Sequence, residues 1–152
     1  MGRDNSIIGT WKLVSAVLTT LDGAPRQLLG ENPSGFLTYT DDGRMSAIVA
    51  SSGRQPLSVA DPAAAAAAEQ AEAFATFTAY AGRYTFHGER VIHHVEVSLF
   101  QNWAGTDQIR FARLDGSRLT LTAPPMSIGG EQLVVQLTWE QIKSTLRVGS
   151  SL

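Results

Sequence analysis

Hydrophobic and polar positions alternate with a period of two along much of the chain, most clearly at 91–100 (VIHHVEVSLF) and 106–114 (TDQIRFARL). Both runs are rich in β-branched and aromatic residues, and Asn102, Ala104 and Gly105 between them carry turn chemistry. Together they predict an antiparallel hairpin with a longer loop. Successive side chains of a strand point to opposite faces. In the first run His93, Val95, Val97 and Leu99 therefore share one face, and Ile92, His94, Glu96, Ser98 and Phe100 share the other. In the second run Gln108, Arg110 and Ala112 oppose Ile109, Phe111 and Arg113.

The same reading predicts strands at 7–20, 35–40, 44–50, 83–87, 117–122 and 132–141. Leu37 and Tyr39 share a face of one, and Arg44, Ser46 and Ile48 a face of the next. Tight turns fall at Asp22-Gly23 and at Asp41-Asp42-Gly43, and 27–34 and 123–130 read as loops. Only 58–80 looks helical, with a core at about 61–80. There Asp61 can cap, Pro62 suits the first helical position and Gly82 stops the run, while Phe74, Phe77 and Ala81 make an apolar stripe. Eight to nine strands at roughly ten-residue spacing predict an all-β domain. Short hairpin turns close it into an up-and-down antiparallel barrel with room for one small ligand. The barrel domain is expected over 1–142, followed by a polar tail at 143–152.

Composition narrows the function. At 152 residues with a net charge of −2 the chain is expected to be one domain without affinity for nucleic acid or anionic membranes. It has no cysteine, no signal-peptide pattern and no apolar run of roughly 20 residues, so a soluble cytoplasmic protein is expected. No glycine-rich phosphate loop points to a nucleotide, and no cofactor is expected.

Several spaced segments resemble one family. Gly9 and Trp11 opening the first strand resemble the start of lipocalins and their calycin relatives, where that tryptophan plugs the barrel floor. GTWKLVS (9–15), GFLTYTDDGRMS (35–46), AYAGRY (79–84), HHVEVS (93–98), NWAGTDQIR (102–110), LTL (119–121) and LTW (137–139) resemble the bacterial and fungal lipocalin-like domain family. The resemblance implies a calycin-type barrel and leaves the function open, because a fold does not dictate one. Calycins also place a basic residue near the end of the last strand, over the floor tryptophan. Here Glu140 and Gln141 follow Trp139, leaving Lys143 or Arg147 for that place.

Within such a barrel, the expectation is that His94, Glu96, Ser98, Gln108 and Arg110 point inward, with Val95, Val97 and Leu99 packed under the helix. His94 and Glu96, about 7 Å apart along one strand, would share a substrate proton as acid and base. Arg110 would anchor a carboxylate or enolate oxygen, or else neutralise Glu96 across the hairpin. Tyr39, Ser46, Tyr80 and Tyr84 are further candidates for ligand contact, with Trp103 at the mouth. Adjacent His93 and His94 point to opposite faces and cannot chelate one ion, so no metal site is expected. Ser98 stands some 13 Å from His94, too far for a nucleophile and its base. The leading function is a carrier or sensor of a small hydrophobic or amphipathic molecule. The alternative is a cofactor-independent cyclase, isomerase or dehydratase acting on a polyketide-, terpenoid- or steroid-like substrate. A partner-binding role for the alanine-rich helix has the least support, since it lacks large apolar anchors.

Overall fold

A computed structural model describes residues 6–128 and 130–143. The strands are β1 (Gly9–Thr20), β2 (Pro25–Gln27), β3 (Ser34–Tyr39), β4 (Arg44–Ala50), β5 (Phe77–Phe86), β6 (Arg90–Ser98), β7 (Asp107–Asp115), β8 (Arg118–Thr122), β9 (Met126–Ile128) and β10 (Glu131–Gln141). One helix, α1 (Ala67–Ala75), lies between β4 and β5, and single 3-10 turns form at Pro62–Ala64 and Gln101–Trp103. All pairings are antiparallel. β1 pairs with both β3 and β10, which closes β1, β3 to β8 and β10 into an eight-stranded barrel flanked by the short β2 and β9. Closure removes the open edges on which a flat sheet would aggregate. Among the described residues no helix is long and apolar enough to cross a membrane.

The alternation seen in the sequence sets the core. Leu37 and Tyr39 of β3, Met45, Ala47 and Val49 of β4, and Leu119 and Leu121 of β8 fill the interior while their neighbours face out. Trp11 is wholly buried, and its indole N–H donates to the Ile7 carbonyl at 2.9 Å. Its cross-strand partner is Gln141, and Lys143 is exposed. Arg147 and the rest of the tail lie outside the described residues.

The helix is shorter than its sequence predicts. Asp61 does cap, its carboxylate accepting from the Ala63 N–H at 3.0 Å, yet it caps only the 3-10 turn. α1 ends at Ala75 and buries none of its residues, and Phe74 remains exposed. From Phe77 onward the chain pairs with β4, Phe77 opposite Ala50 and Tyr80 opposite Ala47. Two ladders of backbone hydrogen bonds and the strand-forming run TFTAY outweigh the helical spacing of Phe74 and Phe77. Arg54 ties this junction, donating to the Ala73 carbonyl and the Thr76 hydroxyl and lying over the Phe77 ring. Val97 and Leu99, expected beneath the helix, are both exposed.

Candidate functional site

The barrel encloses a cavity of about 170 Å³. Leu28, Leu29, Leu37, Ala47, Val49, Leu121, Val135 and Leu137 make most of its wall, and Thr78, Tyr80, His93, Trp103, Arg110 and Trp139 complete it. Trp103 arrives from the 3-10 turn after β6, its ring edge-on to Tyr80 at 5.8 Å and to Phe100 at 5.5 Å. Aromatic rings in this arrangement hold one another in place.

The cavity's polar centre is His93. Only 1% of it is exposed, and it lies on β6 between inward Val91 and Val95. Tyr39 Oη lies 2.6 Å from its Nε2 and Tyr80 Oη lies 2.6 Å from its Nδ1. The two phenols grip the ring from both ends, and Tyr84 packs edge-on to Tyr39 at 4.8 Å with its hydroxyl donating to the Thr40 carbonyl. Burial, reinforced by the Arg110 cation and by His94, pushes the imidazole down to about 3, so it is neutral at physiological pH. Burial also raises both phenols, Tyr39 strongly, so each keeps its proton.

The face expected to line the cavity at His94 and Glu96 is instead the outer face of the barrel. His94 lies between Thr85, 2.7 Å from its Nε2, and Asp107, 2.8 Å from its Nδ1. Glu96 accepts a two-pronged contact from Arg44 at 2.9 and 3.2 Å and lies 3.4 Å from Arg83, so Arg110 is not its partner. These cations hold the Glu96 carboxyl below its usual range. The cause is register. His93 pairs with Gln108 and Val91 with Arg110, and directly opposed residues share a face, so odd positions of β6 join even positions of β7. A bulge against Ala81 and Gly82 then leaves Glu96 as the extra residue and shifts the alternation, which turns Val97 outward and brings Ser98 opposite Tyr80.

The remaining candidates separate. Tyr80, Trp103 and Arg110 line the cavity. Tyr39 belongs to the packed core and Tyr84 packs against that core. Gln108 faces inward and receives a long 3.5 Å contact from Arg110. Ser98 has a buried hydroxyl without a protein partner among the described residues. Ser46 is on the outer face with Arg44 and Ile48, because β4 buries Met45, Ala47 and Val49 instead. His93 and Trp139 also line the cavity, and the sequence reading does not single them out as ligand contacts. The signal for His93 was available, since it sits between valines on the more apolar face of its strand.

Residues 8–142 match the lipocalin-like domain family. A relative described as a 4'-hydroxy-3'-methoxypropiophenone carrier protein, from Aspergillus oryzae, is 37% identical over 83 residues, which span 49% of this chain and 75% of the relative. Among solved structures, a mutant of the fluorescent protein UnaG aligns over 90% of this chain and 96% of its own at 15% identity, with a TM-score of 0.39.

Proposed function

This chain belongs to the lipocalin-like domain family, and we propose that its barrel holds one small, largely apolar ring-bearing molecule and carries it unchanged. The observation that carries this reading is the cavity, apolar over most of its wall with polar groups from a few side chains. That is the usual composition of a small-molecule site. At about 170 Å³ it suits a single ring with short substituents, since an apolar cavity of roughly 150 Å³ in another protein admits benzene. The related carrier is named for a ligand of that class, an aryl ketone with hydroxyl and methoxyl groups on its ring.

The catalytic alternative lacks its residues. His94 and Glu96 face away from the cavity, and no carboxylate lines it among the described residues. His93 reaches the site, but an imidazole held near pKa 3 by burial is a poor base at neutral pH.

Titration calorimetry with single-ring ketones, phenols and a fatty-acid control, with mass spectrometry of what is recovered, tests the reading. One ring-bearing molecule per chain, recovered unchanged, is expected. Ala47→Phe and Val49→Phe, which fill the cavity, are expected to weaken binding by at least about tenfold while the protein stays folded. Conversion of a bound compound would overturn the proposal, as would binding that both fillers leave intact.

A further inference from the structure

We infer that the cavity donates hydrogen bonds and selects a ligand with an acceptor oxygen, carbonyl or anionic, between Tyr80 and Arg110. This rests on the ligand-carrying function proposed above and adds the chemistry of the ligand's polar end.

A neutral imidazole has one N–H donor and one acceptor nitrogen, and here each nitrogen meets a phenol at 2.6 Å. Tyr39 is wholly buried, and His93 Nε2 is its hydrogen-bond partner among the described residues. A buried O–H left without an acceptor loses its hydration for nothing in return. Tyr39 therefore donates to Nε2, and the ring proton sits on Nδ1, a tautomer assigned from the network. Nδ1–H then donates to Tyr80 Oη. Tyr80 has its oxygen occupied and its own proton to place, and Tyr80 lines the cavity. The three side chains form a directed chain from Tyr39 through His93 to Tyr80, with its donor end toward the ligand.

Two further groups agree. The Arg110 guanidinium donates to the Ile109 carbonyl at 2.7 Å and pairs with no carboxylate among the described residues. The Trp139 indole N–H is buried without a protein partner among the described residues. Among the described residues the lining holds no carboxylate and no carboxamide, and both His93 nitrogens are engaged. Donors thus outnumber acceptors, and a cationic or donor-only ligand finds little to bind. Arg110 adds charge, which favours an oxygen anion over a ketone.

Calorimetry with benzoate, acetophenone, ethylbenzene and benzylamine, four single-ring probes of similar size, tests this. Benzoate and acetophenone are expected to bind at least about tenfold tighter than ethylbenzene, and benzylamine weakest. Tyr80→Phe should reduce that advantage for both acceptors without weakening ethylbenzene, and Arg110→Met should cost benzoate more than acetophenone. In the unliganded protein, nitrogen NMR should find the His93 proton on Nδ1. A proton on Nε2 would overturn the inference. Ethylbenzene binding as tightly as the acceptor probes would also overturn it and leave the carrier reading intact. If no probe binds, the carrier reading fails and takes this inference with it.

Discussion

His93 and His94 are neighbours in the chain and occupy opposite sides of the barrel wall. His93 is sealed among apolar side chains, neutral, and fixed at both nitrogens by phenols. His94, with a quarter of its side chain exposed, bridges Thr85 and Asp107 on the outside. The residue type is the same, and the side of the sheet decides what it can do. Inside, burial excludes the charged form and makes the ring a rigid relay between two hydroxyls. Outside, it is one member of a solvated polar surface with Arg83, Glu96 and Asp107 around it.

Removing His93 should have the largest effect. His93→Ala strands the Tyr39 hydroxyl and opens a void, at a cost of about 3–5 kcal/mol, seen as a lower urea midpoint at unchanged slope. In a double-mutant cycle, adding Tyr39→Phe should recover part of that loss, because the stranded hydroxyl goes with it. Equal losses in single and double variants would show that the relay is mere packing. The same contrast has a pH signature. His93 titrates near 3 when folded against 6.5 when unfolded, so between those values the unfolded chain binds the extra proton. Stability is then fully present above pH 6.5 and falls as pH drops toward 3, by roughly 4 kcal/mol from this group. The difference between wild type and His93→Gln isolates it from the carboxylates that titrate in the same range. A difference independent of pH would refute the neutral buried ring.

Much of the fold and only part of the site was legible in the sequence. Alternation put Leu37 and Tyr39 on one face, and the hairpin reading put Gln108 and Arg110 on one face, and each of these proved to be an inner one. Turn chemistry at Asp22-Gly23 and Asp41-Asp42-Gly43 located strand ends to within a residue or two. What failed was the phase of β6. A period-two pattern names two faces without saying which is inside, and the loop between β6 and β7 closes with either parity, so one step of register exchanges His93 for His94. Polar residues drew the expectation inward, whereas the valines flanking His93 marked the core. Tyr80 falls in the stretch that its Asp61 cap, alanine-rich composition and Phe74–Phe77 spacing mark as helical, and the pairing that makes it a strand is non-local. Trp139 shows no local signal of its unpaired indole.

The bulge that fixes this phase is the next place to press. Gly82 lies opposite Val95, and a Cβ there would come within 1.9 Å of the His94 carbonyl oxygen and 3.0 Å of the Glu96 nitrogen. Both are backbone atoms that cannot move independently. Gly82→Ala should therefore cost about 2–3 kcal/mol and loosen the pairing that sets Tyr80 against His93. Hydrogen exchange should rise at the amides of β5 and β6 near the bulge, with β8 and β10 unaffected. Uniform change around the barrel would mean that the bulge has no special part in holding the inner face.

The smallest effect is expected on the outer side. His94→Ala removes hydrogen bonds to Thr85 and Asp107, both near solvent and free to exchange them for water, so it should cost under about 1 kcal/mol. Ligand affinity should stay within about twofold of wild type, since no atom of His94 lines the cavity. Glu96→Gln should likewise leave affinity unchanged, its partners Arg44 and Arg83 both being well exposed. Affinity is the sharper readout of the two, because a modest stability change would fit either orientation of β6. A loss of ligand binding in His94→Ala would place His94 at the ligand, and would require β6 to shift by one residue, exchanging His93 for His94, when the cavity is filled.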